Sequence, residues 1–563
     1  MSRLYSPSEW VAPLVPLLSL AVLPLGPIFF PRLYLITLCI YFSVFLYTQV
    51  NHVCKFFMTS RKIRMTIRKW NKRLDKQILT NNDDQKQETE KLKKKIQSTD
   101  SEDETLDDIE EKLHYYEDTH FFHAFILPNY CEPEDLLKDT IQRIAVHSTA
   151  SVHYGLILAM EQSEPGWEEK AQRLQSFFSD RFAQIIITGH PSDIPGESRG
   201  KGSNVAYAAR HGCKELVEKY NIDRRRIIIT VSDSDSAIPE LYVREVEEAL
   251  NRSEDPYHLL CAPPIFFSRN CYDVPAAVRV TDITWSAMVM SNLSNSRGMC
   301  IPCSNYSLSM ELADKVGYWD TDADAVGEDM HMWLKCFWKT QGQVRTASIY
   351  VPINLTNVQT EGYFSNVSAR YVQAKRHYNG VADVAYTLKN AFQSSSSSIS
   401  LIERLQVCFI ILEAHMIPAS SGWLMFAAVP LMQFILFPPF ATLAFVSPAD
   451  NPILTSEFFG HLWNFIKIIT FCLPIPLFGT LAVYEQLHRA IDSEFLKKSK
   501  QESRKWMNLI DYVNLPIAAW LFMTLPSTVA CIKRLMNRQE KYITSEKLFR
   551  GDNNGLFLEP SSV

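Results

Sequence analysis

Two aspartates, Asp233 and Asp235, stand one residue apart in the segment TVSDSDSAIP, directly after the run RRIIIT. The β-branched residues of RRIIIT predict a buried strand, so both carboxylates belong to its tip. Two like charges this close repel each other unless a positive charge lies between them. Asp and Ser also favour turns and helix N-caps, so the segment taken alone fits a polar turn equally well. The chemical alternative is a metal ion that holds a phosphate.

Three further predicted strands are followed by polar side chains. Glu132 in PNYCEP follows the strand HFFHAFIL, and Glu161 in MEQSE follows the strand HYGLILA. Lys201 and Asn204 in GKGSN follow the strand AQIIIT. Each of these residues alone is more often a loop residue than a ligand. The carboxyl ends of parallel strands meet at one edge of a sheet, where ligands bind, so together the residues predict a binding site.

This edge has the side chains that a nucleoside diphosphate requires. A diphosphate of this kind carries about two to three negative charges, and it binds well to a lysine together with a hard divalent cation. Such a cation prefers one or two carboxylates and completes its shell with phosphate oxygens. We therefore expect Mg²⁺ or Mn²⁺ as the cofactor, held by Asp235 and Asp233.

The hydrophobic pattern predicts the elements that position these residues. From about residue 120 to residue 260, the four strands alternate with helical patterns. The helical segments are PEDLLKDTIQRIAVH, GWEEKAQRLQSFF, SNVAYAARHGCKELVEK and IPELYVREVEEAL. Strands and helices that alternate at this spacing predict a parallel sheet covered by helices on both faces, which is an α/β fold.

Two later motifs carry acidic and basic groups on predicted helices. Glu328 and Asp329 are adjacent in AVGEDMHMWLKCFW, so their side chains point about 100° apart and only one can face a given substrate. Near a helix N-terminus, either carboxylate stays ionised and can take a proton from a hydroxyl group. Gln373, Arg376 and His377 fall at i, i+3 and i+4 of YVQAKRHYNG, which is one helix face. The alternative for that face is plain solvent exposure.

A calcium loop is excluded in the segment before the acidic pair. Asp320, Asp322 and Asp324 alternate as they do in an EF-hand. An EF-hand requires glycine at its sixth position and glutamate at its twelfth. Ala325 and His331 occupy those positions here.

Composition restricts the class of protein. The chain has 563 residues, of which 47% are hydrophobic, and its formal net charge is only -5. A nucleic-acid binder normally shows a strong basic surplus, so nucleic acid is not an expected partner. Cys300 and Cys303 form a CxxC with no second pair or histidine cluster at metal-site spacing, which is weak support for zinc.

The apolar residues concentrate at the two ends of the chain. Residues 11–30 and 33–50 are each about long enough to cross a bilayer, and they lack the cleavage motif of a signal peptide. Residues 55–73 carry eight Lys or Arg and no acid, so this flank and the domain after it are expected in the cytosol. The same segment also fits an amphipathic helix on anionic headgroups. Residues 79–117 are so rich in charge that a solvated linker or an exposed helix is expected.

The C-terminal part contains three more apolar segments, residues 422–446, 458–484 and 509–532. A third crossing would leave the basic sequence IKRLMNRQEK outside, so residues 514–531 fit a re-entrant or interfacial segment as well. Residues 405–418 are short and are expected to be interfacial. The predicted domains are N-terminal transmembrane helices at 1–54, a basic interfacial helix and charged linker at 55–119, an α/β domain at 120–398, interfacial and transmembrane helices at 399–535, and a tail at 536–563.

With these motifs the chain resembles the membrane-embedded family 2 glycosyltransferases, a group that includes cellulose, chitin and hyaluronan synthases and ceramide glucosyltransferase. The resemblance covers roughly residues 121–380 and the flanking membrane segments, and it implies a GT-A (Rossmann-like) domain. It implies that Pro128 to Glu132 and Glu161 hold the nucleotide base, and that a UDP-sugar and its metal are bound by Lys201, Asn204, Asp233 and Asp235. It also implies that Asp329 with Glu328 supplies the catalytic base. The acceptor would be bound by Gln373, Arg376 and His377.

The chain departs from the family pattern at two positions. Glu161 replaces the usual aspartate, which preserves the charge. His377 replaces the tryptophan on which an acceptor sugar would stack, and histidine offers less flat apolar area. This second change puts long-chain processive synthesis in doubt and leaves sugar transfer intact.

The resemblance implies transfer of a sugar, with inversion, from a nucleotide-sugar to a growing polysaccharide. Transfer to a membrane lipid is the alternative, and the sequence does not choose between the two acceptors. A transporter or a catalytically inactive binding protein is a further alternative, although few ionisable groups lie inside the apolar segments. Membrane lipids are expected partners, and the plasma membrane and the Golgi or ER remain equally open as locations.

Overall fold

The computed structural model describes residues 6–95, 121–322, 325, 327–393, 398–437, 445–499 and 503–535, with side chains described up to Leu74 in the first range. Within the charged segment 79–117, the helix that begins at Pro31 reaches Lys95. The rest of that segment, Asp324 and the tail 536–563 lie outside the described residues.

The chain folds into α-helices and β-strands in the following order. The α-helices are α1 Pro7–Phe29, α2 Pro31–Lys95, α3 Glu134–Ala145, α4 Ala150–His153, α5 Trp167–Phe177, α6 Lys201–Ala208, α7 Lys214–Glu218, α8 Glu240–Arg252, α9 Ala276–Asn292, α10 Met310–Lys315, α11 Glu328–Lys339, α12 Tyr363–Tyr378, α13 Ala382–Gln393, α14 Leu401–Leu436, α15 Pro452–Thr455, α16 Glu457–Cys472, α17 Pro474–Ala490, α18 Leu515–Ala519 and α19 Leu525–Leu535. The strands are β1 Phe122–Asn129, β2 Tyr154–Glu161, β3 Gln184–His190, β4 Ile227–Val231, β5 Leu259–Ala262, β6 Ile265–Phe267, β7 Tyr306–Ser309, β8 Arg345–Ser348 and β9 Ile353–Leu355.

The central sheet has seven strands in the order β3-β2-β1-β4-β7-β5-β8. The first four strands are parallel, as the sequence predicts. The sheet as a whole is mixed, because β7, which lies beyond the four predicted strands, runs antiparallel to both β4 and β5. This strand enters the sheet from the edge where the polar residues lie, so it must run back in the opposite direction. A mixed sheet with helices fits the predicted α/β GT-A domain.

Both faces of the sheet are covered by apolar side chains. In β1, Ala124 and Ile126 belong to one buried cluster, whereas Phe125 and Leu127 belong to the cluster on the opposite face. Helices α6 and α11 contribute to the first cluster, and α3 and α8 contribute to the second. A strand that is buried on both faces reads as a continuous apolar run, which explains why HFFHAFIL shows no alternation.

Five helical stretches among the described residues are long and apolar enough to cross a membrane, which suggests a membrane protein. They are Pro7–Phe29, Pro31–Leu74, Leu401–Leu436, Glu457–Phe495 and Trp506–Leu535.

The basic segment 55–73, predicted as an interfacial helix, is helical. It continues α2 without a break from the apolar residues before it. Phe56, Ile63 and Ile67 on this segment are 0–1% exposed and pack in a cluster with Tyr484 of α17. One face of the segment is therefore covered by protein, whereas Phe57, Met58 and Met65 remain exposed.

The predicted interfacial segment 405–418 is also part of a longer helix. It is continuous with residues 422–436 in α14, and Pro418 lies inside this helix. A proline is tolerated there when neighbouring helices satisfy the freed backbone groups. Gly422 packs directly against Thr524, which lies in a π-helical segment, Trp520–Thr524. This close contact joins α14 to the last apolar segment of the chain.

Candidate active site

A cavity of about 810 Å³ opens at the carboxyl edge of β1, β2, β3 and β4. Every residue that the sequence analysis assigned to a site lines this one cavity. They are Pro128, Glu132, Glu161, Lys201, Asn204, Asp233, Asp235, Glu328, Asp329, Gln373, Arg376 and His377. Residues 245 positions apart in the chain are thus brought to a single place by the fold, as the sheet-edge argument requires.

The loop after β1 is held by a buried ion pair. Nζ of Lys170 lies 2.8 Å from Oε1 of Glu164 and donates to the carbonyl oxygen of Glu132 at 2.5 Å. The amide of Asn129 and the backbone N–H of Cys131 both donate to Oε2 of Glu164. Glu164 and Lys170 therefore fix the backbone that presents Glu132 to the cavity.

Glu161 at the end of β2 is oriented by a histidine at the end of β3. Nδ1 of His190 lies 3.0 Å from Oε1 of Glu161, and its Nε2 lies 3.1 Å from Oε2 of Glu197. Burial lowers the pKa of His190, but the two carboxylates outweigh burial and raise this pKa above its ordinary value. Protonated His190 thus balances one of the acidic charges at the cavity wall.

Lys201 joins two of the predicted acids. Its Nζ lies 2.6 Å from Oδ1 of Asp233 and 2.7 Å from Oε1 of Glu328. Burial lowers the pKa of Lys201, but Asp233, Glu328 and then Asp329 outweigh burial, so this pKa lies well above its ordinary value. Gly202 permits the approach, because a Cβ there would lie 3.3 Å from the Cβ of Glu328.

The two aspartates of SDSD are fixed by different neighbours. The backbone N–H of Asp233 donates to Oδ1 of Asn305 at 3.3 Å. The hydroxyl of Thr356 donates to Oδ2 of Asp235 at 2.5 Å, and the guanidinium of Arg269 donates to the Asp235 carbonyl. Hydrogen bonds from other segments of the chain therefore fix both aspartates at the sheet edge. A simple polar turn does not require such contacts.

Asn204 is held by the sheet. Its amide donates to the carbonyl of Ala159 in β2 at 2.8 Å, and its side chain is buried. This bond docks the first turn of α6 against the strand end that carries Glu161. It also fixes the helix on which Lys201 is the first residue.

The adjacent acids of α11 point in different directions, as predicted. Glu328 is 8% exposed and pairs with Lys201, whereas Asp329 is only half-buried. Burial raises the pKa of Glu328 to about 7; Lys201 opposes this rise, while Asp329 and Asp233 add to it. Oδ2 of Asp329 accepts the backbone N–H of Ser304 at 2.7 Å, and Oδ1 accepts that of Met330. Asp329 is thus the more accessible carboxylate, and it is held in a fixed orientation.

The face Gln373, Arg376 and His377 on α12 forms another wall of the cavity. The imidazole of His377 lies beside the indole of Trp285 on α9, with ring centroids 5.7 Å apart and ring planes at 33°. Trp285 lines the same cavity. No motif in the sequence marks this tryptophan, since it lies in a helix far from the four strand ends.

Residues 228–448 match the model of glycosyl transferase family group 2. The match supports a glycosyltransferase domain in this chain. It includes both aspartates of SDSD, the acidic pair of α11 and the polar face of α12. Pro128, Glu132, Glu161, Lys201 and Asn204 precede it. A search of curated proteins finds no match to the chain.

A histidine clamp, in which His331 pairs with two aspartates, lies next to the acidic pair on α11. Nδ1 of His331 lies 2.6 Å from Oδ1 of Asp383, and its Nε2 lies 3.0 Å from Oδ2 of Asp320. Lys335 pairs with the other oxygen of Asp320 at 2.6 Å. Burial lowers the pKa of His331, but the two aspartates outweigh burial and raise this pKa to about 10. Asp320, the first of the alternating aspartates that resemble a calcium loop, thus pairs with His331 and Lys335.

The α/β domain offers few side chains that could hold a metal ion. In the part of the chain that the structure describes, no group of three His, Cys, Asp or Glu side chains is arranged to hold a metal ion. Asp233 and Asp235 are the two carboxylates that could do so, since both line the cavity one residue apart. Two carboxylates are sufficient for a hard divalent cation that completes its shell with phosphate oxygens and water.

The cavity continues from the α/β domain between the apolar helices. Polar groups line the part near the domain, with Gln49 and His52 on α2 and Glu413 on α14. Farther along, the lining is mostly apolar. It includes Phe45, Met425, Phe426, Leu473, Leu477 and Phe478.

Proposed function

We propose that this protein is an inverting, metal-dependent glycosyltransferase that transfers a sugar from a nucleotide-sugar, of the UDP-sugar class, to a growing polysaccharide. One observation carries the proposal. The lysine and acids at the sheet edge, Asp329 on α11 and the polar face of α12 all line one cavity, which continues between apolar helices. A donor, a base and an acceptor can therefore meet there, and a product has a path away from the site.

The donor is assigned to the sheet edge. Glu132 and Glu161 are positioned to contact the nucleotide base, and Lys201 faces the place of the diphosphate. Asp233 and Asp235 would hold a Mg²⁺ or Mn²⁺ ion, which would supply positive charge for the departing diphosphate. Without a donor, Lys201 balances Asp233 and Glu328, so the same ammonium group is available for phosphate oxygens when they arrive.

We assign the role of catalytic base in the transfer step to Asp329. Its carboxylate takes the proton of an acceptor hydroxyl while that oxygen bonds to the anomeric carbon of the sugar. The bond from that carbon to the diphosphate breaks with its electron pair, and attack from the opposite side inverts the configuration. The backbone N–H groups of Ser304 and Met330 orient Asp329 for this role.

The proposed topology places the glycosyltransferase domain in the cytosol, where nucleotide-sugars are made. The eight basic residues between 55 and 73, with no acid among them, support this orientation. The cavity would then accept its donor from the cytosol and deliver its product toward the membrane.

A lipid acceptor is the second candidate, and the apolar lining of the cavity favours it. Phe45, Phe426 and Phe478 line the part between the membrane helices, and such a wall binds an acyl chain readily. The two candidates differ in product size, since a polymerase makes a ladder of sugars and a lipid transferase adds one or a few. Mass spectrometry of the product formed in native membranes separates them.

The test is release of diphosphate from a panel of nucleotide-sugars by the purified full-length protein. We expect release with at least one donor and its loss when EDTA removes the metal. Asp235→Asn should lose activity while keeping the fold, and Asp180→Asn, an exposed acid outside the cavity, is the matched control. Release with none of the donors would contradict the proposal in favour of a transporter or binding protein. Full activity of Asp235→Asn would overturn the metal assignment.

A further inference from the structure

We propose that Trp285 supplies the aromatic surface on which the acceptor sugar ring rests, in place of the tryptophan that His377 replaces in the family pattern. This inference rests on the proposed function. It assigns a specificity-determining residue on α9, a helix that contributes no residue to the predicted site.

The first support is the position of the two rings. Trp285 is half-buried and His377 is exposed, and both line the cavity beside Arg376 and Gln373. Their centroids are 5.7 Å apart and their planes are tilted by 33°. The two rings therefore lie side by side in the cavity wall, and neither is fully buried.

The second support is the fixed register between α9 and α12. Nη2 of Arg370 lies 2.9 Å from Oδ1 of Asp282, and both side chains are almost fully buried. On α9, Trp285 follows Asp282 by three residues, and on α12, His377 follows Arg370 by seven. These spacings place each ring on the same face as its ion-pair partner. The buried Asp282–Arg370 pair therefore holds the two rings opposite each other.

The third support is the place of Trp285 relative to the proposed base. Trp285, Cys303 and Ser304 line the same cavity as Asp329. Ser304 donates its backbone N–H to Oδ2 of Asp329 at 2.7 Å. The aromatic surface and the proposed base thus belong to one cavity wall, where a sugar that rests on Trp285 can meet the carboxylate.

The chemistry of the surface selects a sugar ring. The C–H face of a pyranose packs on a flat aromatic ring, and the indole of Trp285 has a larger flat area than an imidazole. An aromatic contact of this type contributes about 0.5–1.5 kcal/mol beyond area burial. That range corresponds to about 2- to 12-fold in affinity.

The experiment measures acceptor and donor binding separately in the full-length protein. Wild type, Trp285→Leu, Trp285→Phe and the control Trp506→Leu are assayed with cellohexaose, chitohexaose and ceramide as acceptors. Trp506 is 71% exposed and lies outside the cavity lining. We expect Trp285→Leu to raise the KM for an oligosaccharide about 2- to 12-fold, with kcat and the Kd for UDP and Mg²⁺ nearly unchanged. Trp285→Phe should recover most of the loss, and Trp506→Leu should match wild type.

Several outcomes would overturn the inference. One is an oligosaccharide KM that is the same in Trp285→Leu and wild type. Another is a wild type that glycosylates only ceramide, since no acceptor sugar ring would then exist. A third is an equal loss of UDP affinity and acceptor affinity, which indicates a general structural role. A wild type that releases diphosphate from no donor defeats the proposed function itself, and this result is distinct from the other three.

Discussion

Nζ of Lys201 lies 2.6 Å from Oδ1 of Asp233. The lysine thus supplies a positive charge to one of the two neighbouring aspartates at the strand tip, and it reaches Asp233 from a different strand end. A diphosphate donor must compete for this ammonium group. Its binding would transfer Lys201 from a carboxylate to phosphate oxygens and leave Asp233 available to a cation.

Loss of the Lys201 charge should weaken donor binding. Lys201→Met removes an ammonium group that would bond to phosphate oxygens, and hydrogen bonds to charged groups contribute about 1.5–3 kcal/mol. We therefore expect the Kd for UDP with Mg²⁺, measured by calorimetry, to rise about 10- to 100-fold. Lys214→Met is the control, because Lys214 is an exposed lysine on the following helix. An unchanged Kd in Lys201→Met would show that the lysine serves only to balance the acids.

The two acids of α11 should separate kinetically. Asp329→Asn removes the proposed base and should lower kcat by about 10² to 10⁴-fold, with little change in UDP affinity. The pKa of Glu328 is about 7, so the activity of wild type should change as the pH passes through this value. Glu328→Gln should not show this change. Rates of both variants from pH 5.5 to pH 8.5, with UDP affinities at pH 7, check this assignment. If Glu328→Gln shows the larger loss of kcat, the roles of the two residues are reversed.

The His331 clamp should make stability depend on pH. The folded pKa of His331 is about 10, against an ordinary value of 6.5. A raised pKa contributes stability that is fully present below pH 6.5 and is lost as the pH rises through about 10. The Tm of wild type should therefore exceed that of His331→Gln by several degrees at pH 6, and this difference should shrink by pH 10. The exposed residue His211 provides the control His211→Gln, and a pH-independent difference for His331→Gln would contradict the charged clamp.

Gly422 should tolerate no side chain. A Cβ at this position would overlap the side chain of Thr524, and overpacking of this kind typically costs about 1–3 kcal/mol. We expect Gly422→Ala to lower the Tm in detergent by several degrees. Gly460→Ala is the control, since a Cβ there would meet only the carbonyl of Ile453 at 3.4 Å.

A second substitution distinguishes the Gly422 contact from a general helix effect. Thr524→Gly removes the side chain that the new Cβ would meet. The double variant Gly422→Ala with Thr524→Gly should therefore be more stable than the sum of the single changes predicts. Additive losses would mean that the two residues do not restrain each other.

The sequence predicted the parallel strands and the polar residues at their ends, because both signals are local. An apolar run followed by Asp233 or Glu161 needs no knowledge of distant residues. It did not predict His190 as the partner of Glu161, although a histidine that ends the strand AQIIITGH is a visible hint. Trp285 could not be found in this way, since its meeting with His377 depends on how two helices pack.

The bounds of the membrane helices were harder to predict from the sequence. Charge and proline divided α2 and α14 into separate segments at the sequence level, yet each is one continuous helix. Backbone hydrogen bonds within a helix continue past a change from apolar to basic side chains, and packing decides which face is covered. Phe56 and Ile63 are buried by residues that are distant in the sequence. The local sequence therefore does not show that this segment packs against the protein.

The unbroken course of α2 sets a fixed distance between two parts of the molecule. The stretch Pro31–Leu74 has 44 residues, which is about 66 Å at 1.5 Å per residue, whereas the apolar core of a bilayer is about 30 Å thick. The helix is thus about twice as long as one crossing requires, and its later half carries Phe56 and Ile67, which pack inside the protein. Deleting one residue between Pro31 and Phe56 would turn everything beyond it by about 100° and shift it by 1.5 Å. The number of residues in α2 therefore sets the register between its apolar first half and the packed cluster at Phe56 and Ile67.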